Sequence, residues 1–89
     1  MVYLIHFERA VGTPRKRAQH YLGYAEDLPS RLDTHRQGRG ARLLQVVQLL
    51  GIRWRVVRTW DGDRARERQL KRWKKSRTLC PVCRGKEAF

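Results

Sequence analysis

The chain has no long apolar run and few acidic side chains. No stretch approaches the roughly 20 apolar residues that a membrane-spanning helix needs. The short apolar run at the start lacks the basic leader of a signal peptide, so we expect an intracellular protein of the cytoplasm. With 89 residues there is room for one small domain and none for a deep substrate cavity.

Basic residues far outnumber acidic ones. Lys and Arg total 21 against 8 Asp and Glu, which gives a formal net charge of +13. Such an excess indicates a polyanionic partner, because like charges on a compact chain repel one another. An anionic membrane would require an amphipathic helix, whereas the basic stretches here flank predicted strands and turns. The composition therefore favours nucleic acid over a membrane, with phosphate contacts supplying the affinity.

The two cysteines, Cys80 and Cys83, form a single Cys-x-x-Cys pair near the end of the chain. Such a pair is half of a tetrahedral zinc site, which needs two further ligands, and the sequence has no second pair. The histidines His6, His20 and His35 lie far away in the sequence. Two interpretations stay open: a Zn²⁺ half-site that another chain or segment completes, or two thiols without a metal.

The pattern of apolar residues and turn signals predicts an α+β fold. The predicted order is strand, strand, helix, helix, strand, helix, over residues 2–7, 20–25, 27–37, 41–50, 52–60 and 64–75. Residues 8–19 are predicted to form a loop. Asp27 is a suitable N-cap for the first helix and Gly38 a suitable terminator. We expect a small antiparallel three-stranded sheet flanked by helices.

Four segments, in this order, resemble the GIY-YIG endonuclease superfamily. Met-Val-Tyr ending at Tyr3 and Tyr-Leu-Gly beginning at Tyr21 are similar to the paired motifs on the first two strands. Arg31 stands at the offset of the family arginine, and His35 follows one helical turn later. Glu-Arg-Gln-Leu-Lys beginning at Glu67 resembles the Glu-x-x-Leu-Lys pattern that opens the last helix of the family.

The resemblance covers residues 1–75, which we expect to form a nuclease domain, and leaves residues 76–89 as a basic tail with the cysteine pair. The chain departs from the family at three points. Its first motif lacks the glycine, and Tyr24 stands where relatives often carry a lysine. Members often have an asparagine near the end of the domain, and this chain has none.

The resemblance implies a divalent-metal-dependent DNA endonuclease that hydrolyses phosphodiester bonds. Glu67 is the implied ligand of Mg²⁺ or Mn²⁺, Tyr3 the general base, and Arg31 the cation that binds the phosphate. A phenol is a poor base near neutral pH, so His35 and Arg31 would stabilise the phenolate, or His35 would relay the proton. Tyr21 would orient the water or the phosphate.

Each of these residues also has an ordinary structural role. Tyrosines in strands are by default packing residues, and Glu67 with Lys71 forms an ordinary ion pair one turn apart. The alternative function is therefore a non-catalytic, basic nucleic-acid-binding module with the same fold. The third hypothesis is a protein-interaction subunit that is stabilised by a metal ion bound to the cysteine pair.

Further basic residues are expected to contact the DNA backbone with low base specificity, because no recognition helix or finger repeat is present. They are Arg15, Lys16, Arg17, Arg36, Arg39, Arg42, Arg53 and Arg55. The sequence does not determine whether the chain binds a partner protein or forms a homodimer. It also leaves the structure of the DNA substrate and the cut site open.

Overall fold

A three-stranded antiparallel sheet is at the centre of the fold, in a computed structural model that describes residues 1–73 and 76–89. The elements in chain order are β1 (Val2–Thr13), β2 (Lys16–Tyr24), α1 (Leu28–Arg36), α2 (Arg42–Leu49), β3 (Trp54–Trp60), α3 (Arg64–Trp73) and α4 (Ser76–Leu79). The strand order is β2-β1-β3, and β1 pairs antiparallel with both neighbours. The predicted α+β class, the three-stranded sheet and the order of the first six elements are confirmed.

The hairpin of β1 and β2 is longer than the sequence predicts. Residues 8–19 do not form a loop; they continue both strands as far as a tight turn, where Thr13 pairs with Lys16. Gly12 and Pro14 suggested a loop, but Pro14 lies in the turn itself, where no ladder hydrogen bond is required of it. A register irregularity between His6 and Val11 separates the two halves of the hairpin.

The alternation of side chains along β1 divides the core in two. Tyr3, Ile5 and Phe7 pack on the face covered by α1 and α2. Val2 and Leu4 pack on the other face, against α3 and the segment that contains α4. Because β1 is buried on both faces, its apolar run is continuous rather than alternating.

Helix α1 begins and ends at the positions that the sequence signals. Asp27 is the N-cap, and its Oδ1 accepts a hydrogen bond from the backbone N–H of Ser30 at 3.3 Å. Gly38, with a φ of 76°, follows the end of the helix. This placement turns His35 towards the sheet and leaves Arg31, one turn earlier, exposed.

Helix α3 begins after Asp63, whose Oδ1 accepts a hydrogen bond from the backbone N–H of Ala65 at 2.9 Å. The end predicted for this helix, at residue 75, lies outside the described residues. Residues 76–89, expected to be a polar tail, form α4 and a turn that buries Cys80 against the sheet. Within the described residues, none of the helices has the length and apolar composition that crossing a bilayer requires.

Candidate active site and candidate metal centre

Three side chains from three elements meet on the α1 face of the sheet. The rings of Tyr3 on β1 and Tyr21 on β2 have centroids 6.0 Å apart. The ring of His35 on α1 lies 6.1 Å from that of Tyr3 and 5.7 Å from that of Tyr21. The Tyr3 hydroxyl oxygen is 2.9 Å from His35 Nε2, a hydrogen-bond distance. When the neutral imidazole carries its proton on Nδ1, Nε2 accepts from the phenol.

Gly23 makes room for both phenols. It lies directly opposite Tyr3 in the pairing of β1 with β2. A Cβ at this position would stand 2.7 Å from the hydroxyl oxygen of Tyr3 and 2.7 Å from a ring carbon of Tyr21. Both distances are too short for carbon, so the rings occupy the space that any larger residue would fill.

Burial sets the protonation states of this cluster. Tyr3 and His35 are each 1% exposed. Burial is the main cause that raises the pKa of Tyr3 far above its ordinary value, and the lowering effect of Arg31 is smaller. Burial also lowers the pKa of His35, and the charge of Arg31 lowers it further. Both groups are therefore neutral near pH 7.

Arg31 stands at the edge of the cluster, in open solvent. With Tyr24 and Arg64 it lines an open cleft of about 490 Å³ between the end of β2 and the start of α1. The Arg64 guanidinium lies 5.4 Å from the centroid of the Tyr24 ring, a cation–π distance. Arg64 is not among the site residues predicted from the sequence. Its place at the first position of a predicted helix gave no sign that it would line a cleft with Arg31.

Glu67 lies in the first turn of α3, and its side chain is 16% exposed. One carboxylate oxygen is 3.7 Å from the Lys71 ammonium, so the ion pair expected from the sequence is present. Burial is the largest cause that raises the pKa of Tyr3 and that of Tyr21. The negative charge of Glu67 raises both pKa values further, and the positive charge of Arg31 lowers both. The contacts thus join Tyr3, Tyr21 and His35, whereas Arg31 and Glu67 act on the two tyrosines only through their charges.

A second cluster lies on the opposite face of the sheet. His6 of β1 and His20 of β2 are paired across the strands, and Nδ1 of His6 is 3.2 Å from Nε2 of His20. Cys80 Sγ is 3.5 Å from His6 Nδ1. Cys83 Sγ is 3.7 Å from His6 Nδ1 and 3.3 Å from His20 Nε2. One ligand atom from each residue lies within 4.8 Å of the other three, so this group could hold a metal ion. Nitrogen and sulfur donors suit zinc better than magnesium.

The two cysteines therefore do not stand alone. Both strand histidines lie beside the cysteines, so the two further ligands that a metal site would need are present in the same chain. Nothing in the sequence connected His6 and His20 with the cysteines, because the residues lie far apart in the chain. Burial, with smaller effects of His6 and Arg77, lowers the pKa of His20 to about 4, so its ring is neutral, as metal ligation requires.

The basic residues expected to bind DNA differ in what they already contact. Arg53 Nε forms an ion pair with Glu8 at 2.6 Å. Arg55 donates a hydrogen bond to the backbone carbonyl of Ala88 at 2.6 Å and pairs with Glu87 at 3.4 Å. Within residues 1–73 and 76–89, the remaining members are exposed and form no ion pair: Arg15, Lys16, Arg17, Arg36, Arg39 and Arg42.

Comparison with protein-family models, with curated proteins and with solved structures gives no match for the chain. The likeness to GIY-YIG nucleases therefore stays a hypothesis that depends on the residues described above.

Proposed function

We propose that the chain is a divalent-metal-dependent DNA endonuclease of the GIY-YIG type. The observation that carries this proposal is the convergence on Tyr3 of residues far apart in the sequence. Tyr21 and His35 contact it, and the charges of Arg31 and Glu67 act on its pKa. A shared catalytic role accounts for the match of all five residues to one family pattern, which separate packing and surface roles leave to coincidence. We propose an intracellular location in the cytoplasm, where the protein would meet its DNA substrate.

The hydrogen bond between Tyr3 and His35 provides a route for the proton of the attacking water. The phenol oxygen accepts this proton while the phenol hydrogen passes to His35 Nε2, 2.9 Å away. The relay avoids a free phenolate, which the raised pKa of Tyr3 makes costly. His35 can accept because its lowered pKa keeps the ring neutral.

Arg31 and Arg64 supply positive charge for the scissile phosphate. The exposed guanidinium of Arg31 can donate two parallel hydrogen bonds to phosphate oxygens and stabilise the charge that develops there. Arg64, stacked on Tyr24, brings a cation close to the position where relatives often carry a lysine. The cleft that both arginines line opens to solvent and is also lined by the acidic residues Glu26 and Asp27.

Glu67 offers one hard oxygen ligand to Mg²⁺ or Mn²⁺. Such an ion keeps most of its waters and would take phosphate oxygens of the DNA as further ligands. Because the Lys71 ammonium, 3.7 Å away, competes for the carboxylate, we expect weak metal binding without DNA. A bound divalent ion would polarise the phosphate and stabilise the departing oxygen.

Cleavage assays test this proposal. Duplex, single-stranded, flapped and junction DNA are incubated with Mg²⁺ or Mn²⁺. We expect nicking by the wild type, none by Glu67→Gln, and a rate at least about 100-fold lower in Tyr3→Phe, which cannot exchange a proton. Asp61→Asn, an exposed acid just before α3, removes the same charge and should cut normally. Equal cutting by the wild type and Glu67→Gln would indicate a contaminating nuclease and refute the proposal.

One observation favours a second candidate, a non-catalytic nucleic-acid-binding module with the same fold. Tyr3 is 1% exposed, and its hydrogen bond to His35 would serve equally well as a structural link between the sheet and α1. This module would bind DNA in a salt-sensitive manner without cutting any substrate under either metal ion. Cleavage that Tyr3→Phe abolishes would exclude it.

A further inference from the structure

We propose that His6, His20, Cys80 and Cys83 form a structural zinc site that fastens the C-terminal segment to the sheet. The four side chains meet on the face of the sheet opposite to Tyr3. The inference is therefore independent of the nuclease proposal and has its own test.

Four of the six distances between the ligand atoms match a tetrahedral zinc ion. With Zn–S of about 2.3 Å and Zn–N of about 2.05 Å, two nitrogens stand about 3.4 Å apart, and a nitrogen and a sulfur about 3.6 Å apart. The two imidazole nitrogens are 3.2 Å apart. Three of the nitrogen–sulfur distances are 3.3, 3.5 and 3.7 Å. These four distances fit the corners of a tetrahedron around zinc, and the two others, from Cys80 Sγ to His20 Nε2 and to Cys83 Sγ, lie within 4.8 Å.

Pairwise hydrogen bonds do not account for this arrangement. His6 Nδ1 lies within 3.7 Å of three polar atoms at once: His20 Nε2, Cys80 Sγ and Cys83 Sγ. A ring nitrogen makes one good hydrogen bond, as donor or as acceptor, and thiols are weak partners. Both cysteines are free, so no disulfide fixes them. Convergence on a shared cation explains why all four groups crowd together.

The local backbone holds both pairs of ligands in place. The histidines stand on adjacent paired strands. Cys80 immediately precedes the turn of residues 81–85, and Cys83 lies within it. Its backbone hydrogen bonds include those from the Arg84 N–H to the Cys80 carbonyl and from the Gly85 N–H to the Val82 carbonyl, each at 3.1 Å. Gly85 has a φ of 73°, which suits a residue without a side chain. Four protein ligands leave no position for a substrate, so the site is structural rather than catalytic.

The residues after the turn cover the cluster. The Phe89 ring lies 5.5 Å from the His6 ring, and the Ala88 carbonyl accepts a hydrogen bond from Arg55 of β3. A chain of 89 residues has a small core, and a metal that joins distant segments stabilises such folds strongly. Zinc would therefore hold α4 and the C-terminal turn against the sheet.

Metal analysis of the full chain, purified under reducing conditions, tests the site. We expect one zinc ion per chain in the wild type, and below about half of that content in Cys83→Ser and in His20→Gln, which each lack one ligand. The matched control is His35→Gln, a buried histidine on the other face, which should keep its zinc. Protein loaded with Co²⁺ should show the visible absorption of a tetrahedral site and thiolate charge-transfer bands.

A second measurement uses the wild type alone, so it does not depend on the folding of the variants. Zn²⁺ is titrated into the metal-free protein in competition with a chromophoric chelator. We expect one-to-one binding, protection of both thiols from a thiol reagent, and a thermal midpoint raised by more than about 10 °C. Absence of zinc binding by folded protein, with both thiols freely reactive, would overturn the proposal, as would equal zinc content in the wild type and Cys83→Ser.

Discussion

Gly23 illustrates how a residue without a side chain positions its neighbours. The resemblance identifies it as the last residue of a motif, and the structure adds a steric reason. The phenols of Tyr3 and Tyr21 both lie where its side chain would be. The sequence could predict that the two tyrosines share a face, because strand side chains alternate, but the close approach to Gly23 depends on the register.

We expect Gly23→Ala to lower the free energy of unfolding by about 1–3 kcal/mol, because the added methyl overpacks the cluster. The displaced phenol should also change the ring resonances of His35 in NMR spectra. Urea denaturation measures the first effect.

Gly38→Ala is the control for this experiment. A Cβ there meets nothing within 4 Å, although the φ of 76° carries a backbone cost. This variant should leave the His35 signals unchanged. Wild-type stability in Gly23→Ala would contradict the steric explanation.

The raised pKa of Tyr3 favours one of two roles that the resemblance left open. The resemblance allowed either a phenolate stabilised by Arg31 and His35 or a proton relay through His35. Burial outweighs the effect of Arg31, so the pKa of Tyr3 is raised and the phenolate is disfavoured. This balance depends on how deeply the side chain is buried, which the residue types alone do not determine.

The bounds of a helix depend on interactions between residues close in the sequence, so they could be predicted from the sequence. The capping aspartate and the glycine after α1 gave its bounds to within about a residue. The hairpin was predicted wrongly, since the glycine and proline near its turn were taken as evidence for a long loop. Pairing between β1 and β2 continues past these residues, and only the partner strand reveals it.

The cluster of His6, His20, Cys80 and Cys83 could not be predicted, because it depends on strand register. His6 and His20 each lie in a predicted strand, and the cysteines lie in the segment after the last predicted helix. A pairing that puts Tyr3 opposite Gly23 also puts His6 opposite His20. The register alone would have predicted that the two histidines are neighbours. It predicts the four-residue cluster only together with the fold of the C-terminal turn, which brings the cysteines to the same face of the sheet.

Helix α1 supplies both Arg31 and His35, so its N-cap should affect stability. We expect Asp27→Ala to lower the free energy of unfolding by about 1 kcal/mol, since the backbone N–H of Ser30 loses its acceptor. Chemical denaturation of the variant measures this. Glu26→Ala removes the same charge from the neighbouring exposed position and should change stability by less than about 0.5 kcal/mol. Equal losses in both variants would assign the effect to charge rather than to capping.

For the whole molecule, the net charge overstates how many basic side chains are available to bind DNA. Part of the predicted backbone-binding set is already occupied, because Arg53 pairs with Glu8, and Arg55 holds the C-terminal segment. The unpaired residues group at the tip of the β1–β2 hairpin, at the end of α1 and at the start of α2. The sequence predicted that the surface charge is positive. It could not predict which basic side chains form ion pairs, since these pairs join distant segments.

We expect DNA binding to weaken with salt, with a slope of log K against log salt that reflects the number of phosphates neutralised. Replacing Arg15, Lys16 and Arg17 by alanine should reduce this slope by about 0.9 for each phosphate that the variant no longer neutralises. Arg53→Ala should change the slope less than Arg17→Ala, because its guanidinium is paired with Glu8 at 2.6 Å. Fluorescence anisotropy over a range of salt concentrations measures both slopes. A larger effect of Arg53→Ala would contradict this division of the basic residues.

Strand β1 contributes one residue to each of the two clusters, and these residues lie on opposite faces of the sheet because side chains alternate along a strand. Tyr3 on one side and His6 on the other are both placed by the same ladder with β2. A single-residue insertion or deletion between them would reverse the side to which one of them points. Substitutions can remove either cluster alone, whereas a change of length within this stretch damages at least one of them. Related sequences that keep both clusters should therefore conserve the spacing between this tyrosine and this histidine more strictly than the residues that separate them.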